Sequence, residues 1–348
     1  MRAALASSAR AANLAVVASG AAARLRRSLR KDVRLPAIAV IMPVHNRAAV
    51  VRSAIDSVLG QDFADFELIV VDDGSTDATC AAVEAVADPR VSLIRLGKNQ
   101  GSNPARNRGI EAASAPLLAF LDSDDVYLPH KLRVVVGIFE ERPETEVLVD
   151  SFTKAFPAGS GRLPVSRQNP VIDNTAAFAE ALFGRRLWKA TPAITVRRDA
   201  AVRAGMFDES LKRLQDFDFL IRLARTARCT STDKVLWTKC WTAGAISDDL
   251  RNYVGATIEL CRRHPEYAAN PRYSVGLARD MSRHLARLLA RGRVADVLRD
   301  TRLLRREFKT LPLLGLLFTG ARELMSRRKE KNAVRRSPAA RAEPRRLR

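Results

Sequence analysis

Between residues 36 and 141 the chain alternates short, largely apolar runs with amphipathic stretches, and no other feature narrows its fold as far. Residues 38–42, 67–71, 91–96 and 117–121 read as strands, and residues 48–59, 77–86, 104–113 and 129–140 as helices. Runs that can be buried on both faces, separated by helix-length segments, predict an α/β domain on a doubly wound, mostly parallel sheet. Ser75, Thr76 and Asp77 are the capping candidates for the second helix. Residues 147–200 break the rhythm. Pro157, Gly159, Gly161, Pro164, Pro170 and Pro192 make that stretch read as irregular, before residues 217–226 return to helix.

Two of the strands stop abruptly at carboxylates. One runs Val70-Val71-Asp72-Asp73-Gly74-Ser75-Thr76-Asp77, the other Ala119-Phe120-Leu121-Asp122-Ser123-Asp124-Asp125. The carboxyl ends of parallel strands are where open α/β sheets bind ligands. Acid-X-acid spacing suits a hard divalent cation that needs one or two carboxylates and takes its other ligands from phosphate and water. Read as an extended segment, the second cluster puts Asp122 and Asp124 on one side. Together the clusters imply a nucleotide-diphosphate site. Asp73 can accept a hydrogen bond from a pyrimidine ring N–H, although Asp72 and Asp73 are also good turn formers. A third acid, Asp216 in Arg213-Leu214-Gln215-Asp216-Phe217-Asp218-Phe219, stands among apolar residues at a helix start. It reads as a general base for an attacking hydroxyl or as a helix N-cap.

The net charge of +21 is uneven: residues 1–35 carry +7, 250–319 carry +8 and 320–348 carry +8, which leaves −2 for residues 36–249. A nucleic-acid enzyme concentrates positive charge around its active site. Here the charge lies at the ends, which predicts no nucleic-acid partner and fits contact with an anionic membrane surface. The apolar stretch at residues 11–23 has 13 residues, short of the ~20 that span a bilayer. It reads as an interfacial helix or a disordered lead-in rather than an export signal. Residues 277–289 and 294–308 show helical periodicity among arginines, and residues 311–318 form a short apolar run before a basic tail. Packing on the preceding domain and insertion into a membrane interface both fit this region. Cys80, Cys229, Cys240 and Cys261 are dispersed, as expected of reduced thiols in a cytosolic protein without a disulfide frame or zinc site.

Further motifs join these in a fixed order. Ile38-Ala39-Val40-Ile41-Met42-Pro43-Val44-His45-Asn46-Arg47 and Ala54-Ile55-Asp56-Ser57-Val58-Leu59-Gly60-Gln61-Asp62-Phe63 precede the first acidic cluster. Asn99-Gln100-Gly101 and Ala105-Arg106-Asn107-Arg108-Gly109-Ile110 precede the second, which continues to Tyr127-Leu128-Pro129-His130-Lys131-Leu132. Gly205-Met206-Phe207-Asp208-Glu209 and the Asp216 segment close the series. The ordered set resembles the family 2 glycosyltransferases, inverting enzymes with the nucleotide-diphospho-sugar transferase (GT-A) fold.

The resemblance implies roles residue by residue. Asp73 matches the nucleobase-binding acid, with Pro43 and His45 on the loop that flanks the base. Arg106, Asp122, Ser123 and Asp124 would complete the donor site, Arg106 being otherwise a helix surface arginine. Asp122 and Asp124 match the DxD acids, with Asp124 the ligand of Mn2+ or Mg2+, and Asp125 orients or caps. Asp216 matches the catalytic base. His45 stands where Tyr is frequent, and Gln215 replaces the Glu of a Glu-Asp pair. The implied donor is a nucleotide-diphospho-sugar, a UDP-sugar first, and the acceptor a glycan or lipid-linked hydroxyl at the cytoplasmic face of a membrane. The chain then divides into a basic segment (1–35), a catalytic domain (36–249), a basic helical region (250–325) and a disordered basic tail (326–348). Trp188 reads as an acceptor-sugar platform or as packing, and residues 242–249 as a donor-covering loop or a connector. Other functions fit less well. A nucleotidyltransferase wants a Gly-rich basic loop after its first strand, and an oxidoreductase wants GxGxxG there; Pro43 to Arg47 is neither. A catalytically inactive scaffold on the same fold remains the alternative, with Gln215 as its argument.

Overall fold

The structure, a computed structural model, describes residues 35–157, 159–241 and 250–308. The N-terminal basic segment, the loop at 242–249, the apolar run at 311–318 and the basic tail lie outside the described residues. Strands β1 (Ile38–Val44), β2 (Phe66–Asp72), β3 (Val91–Arg95) and β4 (Leu117–Phe120) form where the apolar runs predict. They pair in parallel in the order β3-β2-β1-β4, so Val40 lies between Leu68 and Ala119. Every residue of β1 is buried, as its central place demands.

Helices α1 (Val51–Leu59), α2 (Thr79–Glu84) and α3 (Ser102–Ala112) connect these strands. α1 buries Val51, Ala54, Ile55 and Val58, one helical stripe. α2 starts later than its capping candidates suggest, and its N-cap position is Ala78. Ser75 and Thr76 bond instead to the loop after β1: Asn46 N donates to Ser75 Oγ at 2.9 Å, and Thr76 N donates to Asn46 Oδ1 at 2.8 Å. α3 lies close on β1. A Cβ at Gly109 would stand 2.4 Å from Ile41 Cγ2, so only glycine allows this approach.

Residues 147–200 depart most from expectation. After β5 (Val126–Tyr127) and α4 (Lys131–Glu141) come β6 (Val147–Lys154), β7 (Val165–Arg167), α5 (Thr175–Phe183) and β8 (Ile194–Arg197). β8 pairs antiparallel with β4, and β6 lies between β8 and β9 (Cys229–Lys239), giving the order β3-β2-β1-β4-β8-β6-β9-β5 with β7 on β6. The prolines and glycines that suggest irregularity occupy the connections. β6 is hidden because Asp150 and Ser151 interrupt its apolar run, yet both are fully buried. Asp150 pairs with Lys131 of α4, and Ser151 Oγ donates to Thr232 O at 2.9 Å. A buried acid whose partner comes from another element leaves no trace in a hydropathy pattern.

The chain continues through α6 (Arg198–Arg203), α7 (Gln215–Thr226), α8 (Tyr253–Arg263), α9 (Glu266–Ala269), α10 (Pro271–Ala290) and α11 (Val294–Glu307). α10 packs through Leu277, Met281, Leu285 and Leu288. Among the described residues, no helix is long and apolar enough to cross a membrane.

Candidate active site

The carboxyl ends of β1, β2 and β4 open onto one cavity of about 720 Å³, a volume usual for small-ligand sites. Pro43, His45, Asp73, Arg106, Asp122, Ser123, Asp124 and Asp216 all line it. The structure therefore brings these eight residues together, and leaves out Trp188.

The two adjacent acids after β2 divide their work. Asp72 is buried and accepts from Ser75 N, the turn role. Asp73 faces the cavity, and its two oxygens accept Gln100 N and Gly101 N, both at 2.7 Å. Each oxygen keeps a lone pair for a ligand. Gly74 makes this meeting of loops possible: its φ is 71°, and a Cβ there would stand 2.6 Å from the backbone carbon of Lys98. On the neighbouring loop, the His45 Nδ1 atom is buried and unbonded among the described residues.

The second cluster is a turn, not the extended segment expected: Asp125 N donates to Asp122 O at 3.0 Å. Asp122 and Asp124 still both reach the cavity. Arg106 is no surface arginine. Its side chain is 4% exposed, and Nη2 donates to Asp122 Oδ1 at 2.8 Å. Nη1 reaches Ser102 Oγ and Asn103 Oδ1, which fixes the guanidinium behind the carboxylate. The same face of α3 reaches the Gly205-to-Glu209 motif, since Asn107 exchanges hydrogen bonds with Phe207 O and Phe207 N.

Asp125 is buried beneath the turn, where burial pushes its carboxyl up to about 8. It accepts Cys240 N at 2.9 Å and lies 3.8 Å from Lys239 Nζ, so it orients the end of β9 and caps no helix. Burial alone would lower the Lys239 ammonium, but Asp125, then Asp122, Asp124 and Asp216, hold it above its ordinary value. Among the described residues no three His, Cys, Asp or Glu side chains gather as a metal cage. The donor set on offer is two cavity-facing carboxylates, one with an oxygen committed to Arg106. That set fits an Mg2+-type ion completed by a diphosphate and water, and does not fit an all-protein site.

Asp216, which lines the same cavity, is the second residue of α7 and not its N-cap, a place taken by Leu214 at φ 60°. Asp216 Oδ1 accepts Phe217 N at 2.8 Å, and Oδ2 lies 3.6 Å from Lys189 Nζ. Burial lowers the Lys189 ammonium, with Asp216 opposing the shift. Asp218, two residues on, turns away and lies 2.8 Å from His264 Nε2, anchoring α7 to the end of α8. Trp188 contributes no platform. Its ring is stacked by the Arg167 guanidinium at 4.2 Å, and Lys189 is the neighbour that lines the cavity. Lys189, Lys239, Tyr253, Asp280, His284 and Arg287 line the cavity too, and sequence reasoning missed all six. The signal available for the last three was their spacing of four and three residues on one predicted helix.

Residues 39–203 match the model of the family described as Glycosyl transferase family 2. These residues are a family 2 glycosyltransferase domain. The chain is 33% identical over 233 residues to the succinoglycan biosynthesis protein ExoO of Rhizobium meliloti (strain 1021), covering 63% of this chain and 64% of that protein. It is 37% identical over 101 residues to an Escherichia coli protein, the UDP-Glc:alpha-D-GlcNAc-diphosphoundecaprenol beta-1,3-glucosyltransferase WfgD, covering 29% and 40%. The chain spans less than two thirds of the length of these curated relatives. Among solved structures it superposes on S. aureus TarS 1-349 in complex with UDP-GlcNAc, with a TM-score of 0.55, 22% identity, and coverage of 72% and 71%. That likeness establishes the fold, which is GT-A.

Proposed function

We propose that this glycosyltransferase domain moves a sugar from a nucleotide-diphospho-sugar, a UDP-sugar first, with inversion, onto a hydroxyl of a glycan or lipid-linked acceptor during assembly of a cell-surface polysaccharide. The observation that carries this reading is that Asp73, the Asp122–Asp124 turn and Asp216 line one cavity. The relative named as a UDP-Glc transferase acting on a diphosphoundecaprenol-linked sugar supports both the nucleotide and the acceptor class.

On this reading Asp73 accepts a base N–H with its remaining lone pairs, while Pro43 and His45 flank the base. Arg106 locks Asp122, so the turn needs no rearrangement when the diphosphate arrives. Asp122 and Asp124 would hold Mn2+ or Mg2+, which stabilises the charge growing on the departing diphosphate. Lys239 adds a positive charge at the same end. At the other end Asp216 takes the proton of the acceptor hydroxyl as its oxygen bonds to the anomeric carbon and the bond to the diphosphate breaks. Lys189, 3.6 Å from the other carboxylate oxygen, helps hold the Asp216 side chain in place. The basic ends would hold the protein at the inner face of the cytoplasmic membrane.

Thermal unfolding with UDP, GDP, dTDP and CMP, with and without Mn2+, tests the reading. A ligand at a hundred times its Kd adds about 2.7 kcal/mol of apparent stability. The expected result is a metal-dependent rise with UDP that Asp124→Ala abolishes. No rise with any nucleotide would reject the donor site and favour an inactive scaffold.

A further inference from the structure

The helices after residue 250, open from sequence to packing or membrane roles, close around the segment that carries Asp216. Phe217, whose amide donates to Asp216 Oδ1 at 2.8 Å, is fully buried. The Arg185 guanidinium lies 4.1 Å from the centre of its ring, and the Lys189 ammonium 4.5 Å. Tyr267 of α9 meets the same ring edge-on at 5.3 Å. Arg185 is held in turn by the C-terminal helices. Its Nε donates to the Tyr267 hydroxyl at 2.8 Å, and Nη2 lies 3.0 Å from Asp280 Oδ2 of α10. The Tyr253 hydroxyl of α8 donates to that same oxygen at 2.6 Å. Tyr273 of α10 stacks on Phe183, the last residue of α5, at 4.2 Å.

Arg185 follows the end of α5 at φ 55°, a left-handed position that helices usually give to glycine. An arginine there is explained by what its side chain touches. An aromatic face attracts a cation, but two cations over one ring repel, and more strongly out of water. Each of these side chains is only 10% exposed, and each has its own carboxylate: Asp280 for Arg185, and Asp216, at 3.6 Å, for Lys189. Burial lowers the Lys189 ammonium; Asp216 opposes the shift, Arg185 adds to it and Asp280 opposes it again. Without Asp280, Arg185 loses its paired carboxylate beside a second buried cation, which weakens the hold of Lys189 on Asp216.

We propose that Asp280 of α10 is a positioning residue for transfer: by pairing with Arg185 it keeps that guanidinium from displacing Lys189, and so fixes the Asp216 carboxylate. The inference rests on the proposed transfer function, because there Asp216 takes the acceptor proton.

The test is UDP release by the full chain from UDP-glucose, UDP-galactose and UDP-N-acetylglucosamine with Mn2+, read as kcat and KM, with UDP affinity measured by calorimetry. Water stands in for the acceptor: its oxygen bonds to the anomeric carbon, Asp216 takes its proton, and UDP leaves with the electron pair of the broken bond. Asp280→Asn should lower kcat by about tenfold to a hundredfold, the scale on which a small misplacement of a reacting group acts, with KM and UDP affinity within about twofold. Lys189→Met should lower kcat as well, and Asp280→Asn added to it should cost nothing further, since one acts through the other. Adding Arg185→Met to Asp280→Asn removes the competing cation and should recover part of the loss. Asp300→Asn breaks a different buried pair of α10, that of His284 with Asp300, and should lower stability but not kcat. Crystal structures should show Lys189 Nζ gone from Asp216 in Asp280→Asn and in place in Asp300→Asn. Wild-type kcat in Asp280→Asn, an equal fall in Asp300→Asn, a further fall in the Lys189→Met double variant, no recovery with Arg185→Met, or Lys189 still on Asp216 in Asp280→Asn would each overturn the inference. Failure of UDP to bind, or of the wild-type protein to release it, would overturn the proposed function instead.

Discussion

The two ends of the cavity are built by different means. On the loops after β1 and β2, short polar side chains bond to backbone groups of a neighbouring loop: Asp73 accepts Gln100 N and Gly101 N, Asn46 Oδ1 accepts Thr76 N, and Ser75 Oγ accepts Asn46 N. At the opposite end, charged side chains from distant parts of the chain meet in pairs: Lys189 with Asp216, Arg185 with Asp280, His284 with Asp300. Such a bond depends on one side chain only, because its backbone partner is the same in every residue. Charge pairs hold only while both partners remain, and their loss leaves a desolvated charge. Each tie between the loops thus rests on one side chain, and each tie around Asp216 and α10 on two.

Four measurements sharpen or break this contrast. The largest effect is expected from Asp216→Asn, which should lower transfer by roughly 10²–10⁴-fold with the UDP-sugar chosen by the binding screen. UDP affinity should stay within about twofold, since on the proposed reading Asp216 meets the acceptor hydroxyl and not the nucleotide. Parallel loss of both would show that the two ends act as one unit, and unchanged transfer would move the base elsewhere.

Next is the strut joining the halves. Lys131 of α4 and Asp150 of β6 are both fully buried, and Lys131 Nζ also donates to Pro192 O at 3.0 Å, behind the Lys189 wall. Burial pushes the Asp150 carboxyl up to about 6 and lowers the Lys131 ammonium. Lys131→Met should cost about 3–5 kcal/mol in urea unfolding, the usual price of orphaning one member of a buried pair. Adding Asp150→Leu should restore most of it.

Gly109→Ala probes the donor end alone. With Ile41 Cγ2 in the way of a Cβ, overpacking should cost about 1–3 kcal/mol. Equilibrium unfolding would read this, and a cost near zero would show that α3 can shift from β1.

The smallest effect concerns acid. Burial raises the Asp280 and Asp300 carboxyls, but Arg185 and the Tyr253 hydroxyl, and His284 and Arg299, outweigh it and hold both below the ordinary 3.8. A depressed carboxylate contributes stability above its unfolded value and loses it as pH falls through the folded one. Below about pH 4, opening free energies of α10 amides, corrected for intrinsic exchange, should therefore drop before those of β1. Uniform loss along the chain would erase the distinction between the ends.

The donor end was largely legible in the sequence. Its strands are apolar on both faces, and Asp73, Asp122 and Asp124 stand at their ends, so a local pattern carries both the element and the placement of its acids. Even there, the sequence pattern misassigned local geometry: the Asp122–Asp125 turn looks extended, and Ser75 and Thr76 look like helix caps, because several local bonding patterns suit the same residue types. β6 was not legible, since a buried Asp150 reads as exposed until its Lys131 partner, in another element, is in place.

What the sequence determined by itself was the alternating α/β order, the family likeness and the acids that face the cavity, all of them properties written within a few residues of one another. Only the tertiary structure decided what their neighbours do: Asp72 closes the turn, Asp218 lies against His264, and α10 brings Asp280, His284 and Arg287 to the cavity. Those choices depend on partners far apart along the chain, and periodicity in one segment holds no record of what another segment will place against it.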